Sequence, residues 1–249
     1  MPVGRPLIRL DDVTSTMDLA RHLANRGATP GTVVLAGYQS QGKGRAGRHW
    51  QAAPWSSILL SFITASDRPM ASLGLLSLAW GVAVAETVDT FIDRRSQVKW
   101  PNDVLVDGRK VAGILVTNGV VPGTTGYRQV TGIGLNCSAS HGDLPSTATS
   151  LAIEAGAPPD FEAVLRELFV RLETVRAAFE AGDDRAILHR LERRLANLGE
   201  QVQVQDGDRV HEGIVRGVDH HGGLLLEEGA GRVRAIVSGD LTRGPRKAR

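Results

Sequence analysis

Cysteine is nearly absent from this chain. Cys137 is its one example, so no intrachain disulfide can form and nothing argues for secretion. Aromatic residues make up only 4% of the sequence, so a core must be assembled mainly from Val, Leu, Ile and Ala. No apolar run approaches about 18 residues, and the first ten residues carry Arg5 and Arg9 without an apolar segment between charges and cleavage site. Neither a signal peptide nor a membrane span is expected, and the cytoplasm is the default location. Excess charge is lacking too. A formal net charge of +2 does not mark a nucleic-acid binder, and much of it lies in the tail 243–249, which reads as a solvated end. The histidines show no metal-ligand spacing, and His220-His221 falls in a glycine turn, which argues against zinc.

What is present is an ordinary enzyme composition, 42% hydrophobic and 22% charged, in a length that suits one medium domain plus a small module. Residues 7–10 read as a strand. Ser15-Thr16-Met17-Asp18 resembles a capping box opening a short helix through Leu23. Apolar runs at 33–36 and 58–63 are strand-like, and 71–92 is the longest helical pattern. Short β-branched runs follow at 98–100, 104–106, 111–116 and 130–135, with a hairpin expected about Asp107-Gly108. Two amphipathic helices are expected over 161–179 and 185–198. After Gly199 the texture changes to short strands at 201–205, 213–218, 224–227 and 233–237 with glycine turns between. This divides the chain into a catalytic domain at 1–198, a β module at 199–243 and a disordered tail at 244–249.

Gly42, Gly44 and Gly47 satisfy a G-x-G-x-x-G spacing, but a dinucleotide site needs the last glycine to open a helix. Here Gly47 leads through Arg48-His49-Trp50 and Pro54 into a strand, so that reading fails. A kinase loop would need a lysine on the next strand and an Asp-Phe-Gly motif, and both are missing. The loop places Lys43, Arg45 and Arg48 among its glycines, a composition suited to an anion. Its cations repel, so it is expected to be mobile until an anion orders it; the alternative is a solvated basic loop. Two further clusters are Lys99-Trp100-Pro101-Asn102-Asp103 with Lys110-Val111-Ala112-Gly113-Ile114-Leu115, and Thr131-Gly132-Ile133-Gly134-Leu135-Asn136. Glycine at 113, 132 and 134 on strands suggests either a bulge or a face that a flat ligand approaches.

Together these segments resemble the biotin–protein ligase family. Four pieces agree in order and spacing: Ser15-Thr16, the loop from Gln39 to Trp50, the block from Lys99 to Leu115, and Gly132 to Asn136. They lie within residues 7–137, and the family also carries a small C-terminal module, so the likeness covers nearly the whole chain. Met17 stands where the family usually has Asn, and Lys43 where it usually has Arg; lysine keeps the charge but loses the planar fork. The resemblance implies an α/β (α+β) class II synthetase-like domain, with a mixed or antiparallel sheet and flanking helices, followed by an SH3-like β-barrel. It also implies an ATP-dependent ligase that forms biotinyl-5'-adenylate and transfers biotin to a lysine of a biotin carboxyl carrier protein or domain. The first motif begins at Ser15, which leaves no room before it for a DNA-binding domain, so no repressor activity and no nucleic-acid or membrane partner is expected. A homodimer is left open.

The residues can be assigned to that chemistry by the same resemblance. Adenylation brings two anions together, so catalysis should rest on cations, with Mg²⁺ on the ATP. Lys110 and Arg45 are the expected catalytic pair. Biotin would meet Ser15, Thr16, Gln39, Gly42, Lys43, Arg45, Lys110 and Gly113. The nucleotide would meet Arg45, Arg48, Trp50, Asn102, Lys110 and Asn136. Asp103 would either help bind Mg²⁺ or orient the acceptor lysine. Trp50 would either close the loop over the pocket or sit in the core. The Arg-rich helix at 185–194 is a solvated face or a lure for an acidic acceptor. A lipoate ligase or octanoyltransferase is the main rival, but Cys137 reads as a small buried hydrophobe away from a nucleophile position. A non-catalytic biotin sensor is the second rival, against which Lys110 and Arg45 speak.

Overall fold

Alternating strands build a seven-stranded sheet whose one parallel pair is β1 (Leu7–Val13) with β2 (Val33–Gln39). Beyond β2 the spatial order continues through β3 (Ser57–Ser66), β7 (Tyr127–Asn136), β6 (Arg109–Val120), β5 (Asp103–Val106) and β4 (Gln97–Lys99), all antiparallel. The expected hairpin joins β5 to β6. Asp107 at φ 47° and Gly108 at φ 78° supply the left-handed pair that a tight two-residue turn demands. The computed structural model describes residues 2–120 and 127–243; the tail 244–249, expected to be disordered, lies outside the described residues.

One face of the sheet carries α1 (Thr16–Asn25), which sets Met17, Ala20 and Ala24 on Val34, Ile63 and Val130. The other face is covered by α2 (Leu73–Phe91), α3 (Leu151–Ala155), α4 (Phe161–Glu180) and α5 (Asp184–Glu192). Helix α2 is buried nearly all round, each large aliphatic side chain contributing about 1.5–3 kcal/mol of burial. Its Trp80 packs edge-on to Phe62, with ring centroids 5.1 Å apart, and donates Nε1–H to Gln129 Oε1 at 3.2 Å. Residues Met70–Phe91 are long and apolar enough to cross a membrane, which the reading of short apolar runs did not anticipate; 78% of the most apolar window is buried in protein, as in a core helix.

The expected helix over 185–198 ends early, at Glu192. Its last residues turn to cover the sheet edge instead: Val98 N donates to Arg194 O at 2.8 Å and Ala196 N to Val98 O at 2.9 Å. Pairing the open edge of β4 outweighs the local helix preference of Leu195 and Ala196.

A second, five-stranded antiparallel sheet follows, comprising β8 (Gln201–Asp206), β9 (Arg209–Val218), β10 (Leu224–Glu228), β11 (Arg232–Ile236) and β12 (Asp240–Arg243). The barrel expected here is not closed. The order β11-β10-β9-β8-β12 leaves β11 and β12 as unjoined edges among the described residues, because β12 pairs with β8 while Arg232, Val233 and Arg234 of β11 face solvent. The inner face, including Val202, Val204, Leu224 and Leu226, is continuous with the main core. The module is fixed where α2 begins: Trp100 donates Nε1–H to Gly222 O at 3.0 Å, and Gly74 lies so close that a Cβ there would be 2.3 Å from His221 O. That docking brings β12 to the α1 face of the large sheet, at the mouth of a cavity.

Candidate active site

The cavity has a volume of about 330 Å³, within the range of small-molecule sites. Its floor is the middle of the large sheet, cleared by glycine. Gly113 on β6 pairs with Gly134 on β7, and Gly132 lies two residues along on the same face. A Cβ at Gly134 would meet the Trp50 indole at 2.4 Å, one at Gly113 would meet it at 3.0 Å, and one at Gly132 would meet Met17 Sδ at 2.7 Å. The glycines are therefore close-approach positions on regular strands. Trp50 lies on this floor as a wall of the cavity and not in the core, with Nε1 buried and unpartnered among the described residues.

The loop above the floor is a small hairpin. Lys43 pairs with His49 across it, Gly44 N donates to Arg48 O at 2.7 Å, and Trp50 N donates to Gly42 O at 3.0 Å. Gly42 is required by the loop itself, since a Cβ would sit 2.3 Å from Trp50 O. Three side chains tie the hairpin down. Lys43 Nζ lies 2.6 Å from Asp18 on α1. Arg45 Nη1 donates to Asn102 Oδ1 at 3.2 Å and to Gly239 O at 3.3 Å. Arg48 Nη2 lies 2.9 Å from Asp240 Oδ1. The last two partners, Gly239 and Asp240, come from the C-terminal module, which no local motif brings into the site.

Across the cavity, Lys110 Nζ is 2.6 Å from Asp103 Oδ1 and 5.4 Å from the Trp50 ring centroid. Asn102 is fixed by donating Nδ2–H to Ile114 O at 3.0 Å. At the α1 end, the capping box does not form as expected: Ser15 stands at the N-cap, yet its hydroxyl is buried without a partner among the described residues. Gln39 takes over that work. Its Oε1 accepts from Thr16 N at 2.8 Å and from Thr16 Oγ1 at 3.0 Å, and Thr16 Oγ1 lies 2.8 Å from Ser61 Oγ. The amide hydrogens of Gln39, without a partner among the described residues, and the chain of hydroxyls leave donors and acceptors at this end of the cavity.

Thr16, Gln39, Lys43, Arg45, Arg48, Trp50, Asn102, Asp103, Lys110 and Gly113 all line the cavity. Ser15, Gly42 and Asn136 stand behind its wall; Asn136 is buried and spends Nδ2–H on Thr149 O at 2.9 Å. Lys99, Met17 and Asp240 also line it and were not singled out as site residues. Lys99 was visible as a cation beside Asn102, whereas Asp240 lacked any local signal. Among the described residues no group of three or more His, Cys, Asp or Glu side chains is placed to hold a metal ion. Cys137 is buried, its thiol hydrogen directed at Leu135 O at 3.5 Å, and burial pushes its pKa up to about 12 against a weaker opposing backbone hydrogen bond. A thiol so placed is not a nucleophile.

A sheet floored by glycine, a cation-bearing hairpin above it and a lysine–carboxylate pair at its side frame a pocket suited to a flat, anionic ligand. Comparison with known proteins agrees. Residues 7–136 match the biotin/lipoate A/B protein ligase family, and residues 198–241 match the biotin protein ligase C terminal domain. The chain belongs to the biotin/lipoate A/B protein ligase family. Within it the chain stands with the biotin protein ligases, whose C-terminal domain it carries. It is 35% identical over 250 residues to the biotin–[acetyl-CoA-carboxylase] ligase of Mycobacterium tuberculosis, covering 94% of this chain and 88% of that protein. It is 30% identical over 246 residues to the bifunctional ligase/repressor BirA of Bacillus subtilis, covering 97% of this chain and 75% of that protein. The biotin protein ligase from Aquifex aeolicus in complex with biotin and ATP superposes with a TM-score of 0.81 at 27% identity, over 96% of this chain and 99% of that one.

Proposed function

We propose that this protein condenses biotin with ATP to biotinyl-5'-adenylate and pyrophosphate, then transfers biotin to a lysine of a biotin carboxyl carrier protein or domain. The observation that carries the reading is the Lys110–Asp103 pair at 2.6 Å beside a glycine floor, opposite the arginine-bearing hairpin. The biotin ring system would take the place over Gly113, Gly132 and Gly134 that the Trp50 indole and the Met17 side chain now cover, both of which would have to move, with its ureido group toward Thr16 and Gln39, beside the hydroxyl of Ser15. Its carboxylate would then point along the cavity toward Lys110.

In the first step a carboxylate oxygen bonds to the α-phosphorus, and the bond from that phosphorus to the bridging oxygen breaks as pyrophosphate leaves. The attacking group is already an anion, so no base is needed; the barrier is the approach of two anions. Lys110 would sit between them, and Arg45 and Arg48 would hold phosphate oxygens from the hairpin. Asn102 would lie beside the nucleotide, Trp50 would cover it, and Asn136 would support this wall from behind. In the second step the acceptor amine attacks the acyl carbon and AMP leaves. Asp103, the carboxylate that pairs with Lys110, would suit one ligand place on a magnesium ion carried by ATP phosphates, which would supply further charge neutralisation. The same carboxylate would orient the incoming lysine once Lys110 has turned to the substrate. We assign the catalytic unit to residues 1–198 and the closing module to 199–243.

The test is pyrophosphate release on mixing the protein with ATP and biotin, with lipoate and octanoate as alternative acids. Release with biotin alone among the three supports the reading; release with lipoate and not biotin would replace it.

A further inference from the structure

Strict alternation would turn Lys110 away from the cavity. Along β6, Ala112 and Ile114 are buried in the core cluster, although Ile114 also borders the cavity, while Gly113 and Leu115 line the cavity without belonging to that cluster. A side-chain period of two puts residue 110 with 112 and 114. Lys110 nevertheless lines the cavity. The register explains why: Val104 pairs with Ala112 but Leu105 pairs with Lys110, so β6 carries one extra residue there. Such a bulge re-aims the side chain beside it.

The bulge is held from its other side. Lys110 N donates to Thr147 O at 2.8 Å and Thr149 N donates to Lys110 O at 2.9 Å, a parallel bridge centred on Ala148. Beneath this bridge lies Glu154, whose side chain is only 2% exposed. Its Oε1 accepts from Arg109 Nη2 at 2.7 Å and also from Thr149 Oγ1. One oxygen thus joins the residue before Lys110 to the residue after Ala148. Arg94 Nη1 is 3.9 Å from the other oxygen. The carbonyl of Thr149 receives Asn136, so the β7 wall is tied to the same point. A buried carboxylate is costly unless its charge and lone pairs are met. Here they are met by two donors on two segments, the arrangement that fixes one segment against the other.

We propose that Glu154 is a positioning residue for adenylation: it clamps Arg109 and Thr149 about the bulge and so holds the Lys110 ammonium over the cavity. The inference rests on the role given to Lys110 above. It touches neither biotin nor nucleotide, and acts through Lys110 alone. A misplacement of about 1 Å at a reacting group can cost on the order of a hundredfold in rate.

The experiment measures kcat for pyrophosphate release and the biotin Kd by equilibrium dialysis, in the full chain. Wild type that releases no pyrophosphate sinks the functional reading itself, whatever Glu154 does. Given wild-type turnover, Glu154→Ala should lower kcat by at least about tenfold while the biotin Kd stays within about twofold. Glu154→Gln should recover most of the loss, because its amide oxygen still accepts from both donors. In a Lys110→Ala background, where turnover is slow but measurable at high enzyme concentration, adding Glu154→Ala should cost less than about twofold more. Wild-type kcat in Glu154→Ala, biotin binding lost in proportion to kcat, no rescue by Gln, or an undiminished penalty in the Lys110→Ala background would each overturn the proposal. If Glu154→Ala does not fold, Thr149→Val decides: a kcat about threefold lower with intact biotin binding supports the clamp, and an unchanged kcat overturns it.

Discussion

Arg48 reaches Asp240 across 192 positions of sequence, its Nη2 lying 2.9 and 3.0 Å from the two carboxylate oxygens. The contact joins the hairpin of the large domain to β12 of the C-terminal module, and Gly239 O supports it by accepting from Arg45. The module therefore forms part of the site, a jaw against which the hairpin rests. Both side chains are substantially exposed, so the pair is weak and salt-sensitive. Asp240→Ala is expected to raise the KM for ATP about two- to fivefold at low salt, with the thermal midpoint unchanged. The difference should shrink at high ionic strength. An unchanged KM at low salt would separate the module from nucleotide binding.

Lys110→Ala should leave a folded protein that still binds biotin but releases pyrophosphate about a hundred- to a thousandfold more slowly. The reason is that its ammonium lines the cavity from the sheet and is held by a carboxylate at 2.6 Å. Turnover near the wild-type rate in this variant would remove Lys110 from the mechanism.

Arg45→Gly should still make the adenylate but fail to keep it. The substitution deletes the contacts to Asn102 and Gly239 and loosens the hairpin backbone. Losing a charged hydrogen bond of roughly 1.5–3 kcal/mol would speed escape about ten- to a hundredfold. Released mixed anhydride would then acylate exposed lysines on a bystander protein. Bystander labelling equal to wild type, with adenylate still formed, would mean that Arg45 does not hold the lid.

Gly134→Ala should block the floor. The added methyl would meet the Trp50 ring at 2.4 Å, so the indole must leave the position it now holds. Overpacking of this kind costs about 1–3 kcal/mol, which predicts biotin affinity reduced about five- to a hundredfold. Affinity equal to wild type would show that the flat ligand lies elsewhere.

Cys137 provides a pH test. With its pKa pushed up to about 12 by burial, the folded protein should hold a neutral thiol throughout the range in which an ordinary cysteine ionises. Alkylation by iodoacetamide should therefore stay slow from about pH 7 to 9 and leave pyrophosphate release unaffected; rapid labelling with loss of activity would revive a thiol mechanism.

Much of this was legible in the residues. The β5–β6 hairpin followed from Asp107-Gly108, because it depends on local backbone chemistry, whereas glycines at 113, 132 and 134 left a bulge and a close-approach floor open and strand pairing decided for the floor. The family likeness drew Lys110, Arg45 and Asn102 into one place before the sheet did. What escaped was non-local. Asp240 enters the site only because Trp100 and Gly74 seat the module on the start of α2. Gln39 replaces the Ser15 cap only because β2 ends beside Thr16. The bulge that turns Lys110 is a register shift, which alternation within one strand cannot disclose. The early end of α5 was lost to an edge pairing with Val98 that helix periodicity does not see.

If this cavity activates biotin with ATP and delivers it to a carrier lysine, the direct measurement is the mass of a purified biotin carboxyl carrier domain after incubation with the protein, ATP, magnesium and biotin, alongside the same domain with its acceptor lysine changed to arginine. One biotinyl group should be added to the unaltered domain, dependent on ATP and absent from the arginine variant. Pyrophosphate release with no mass change on the carrier, or equal labelling of both domains, would contradict that reading.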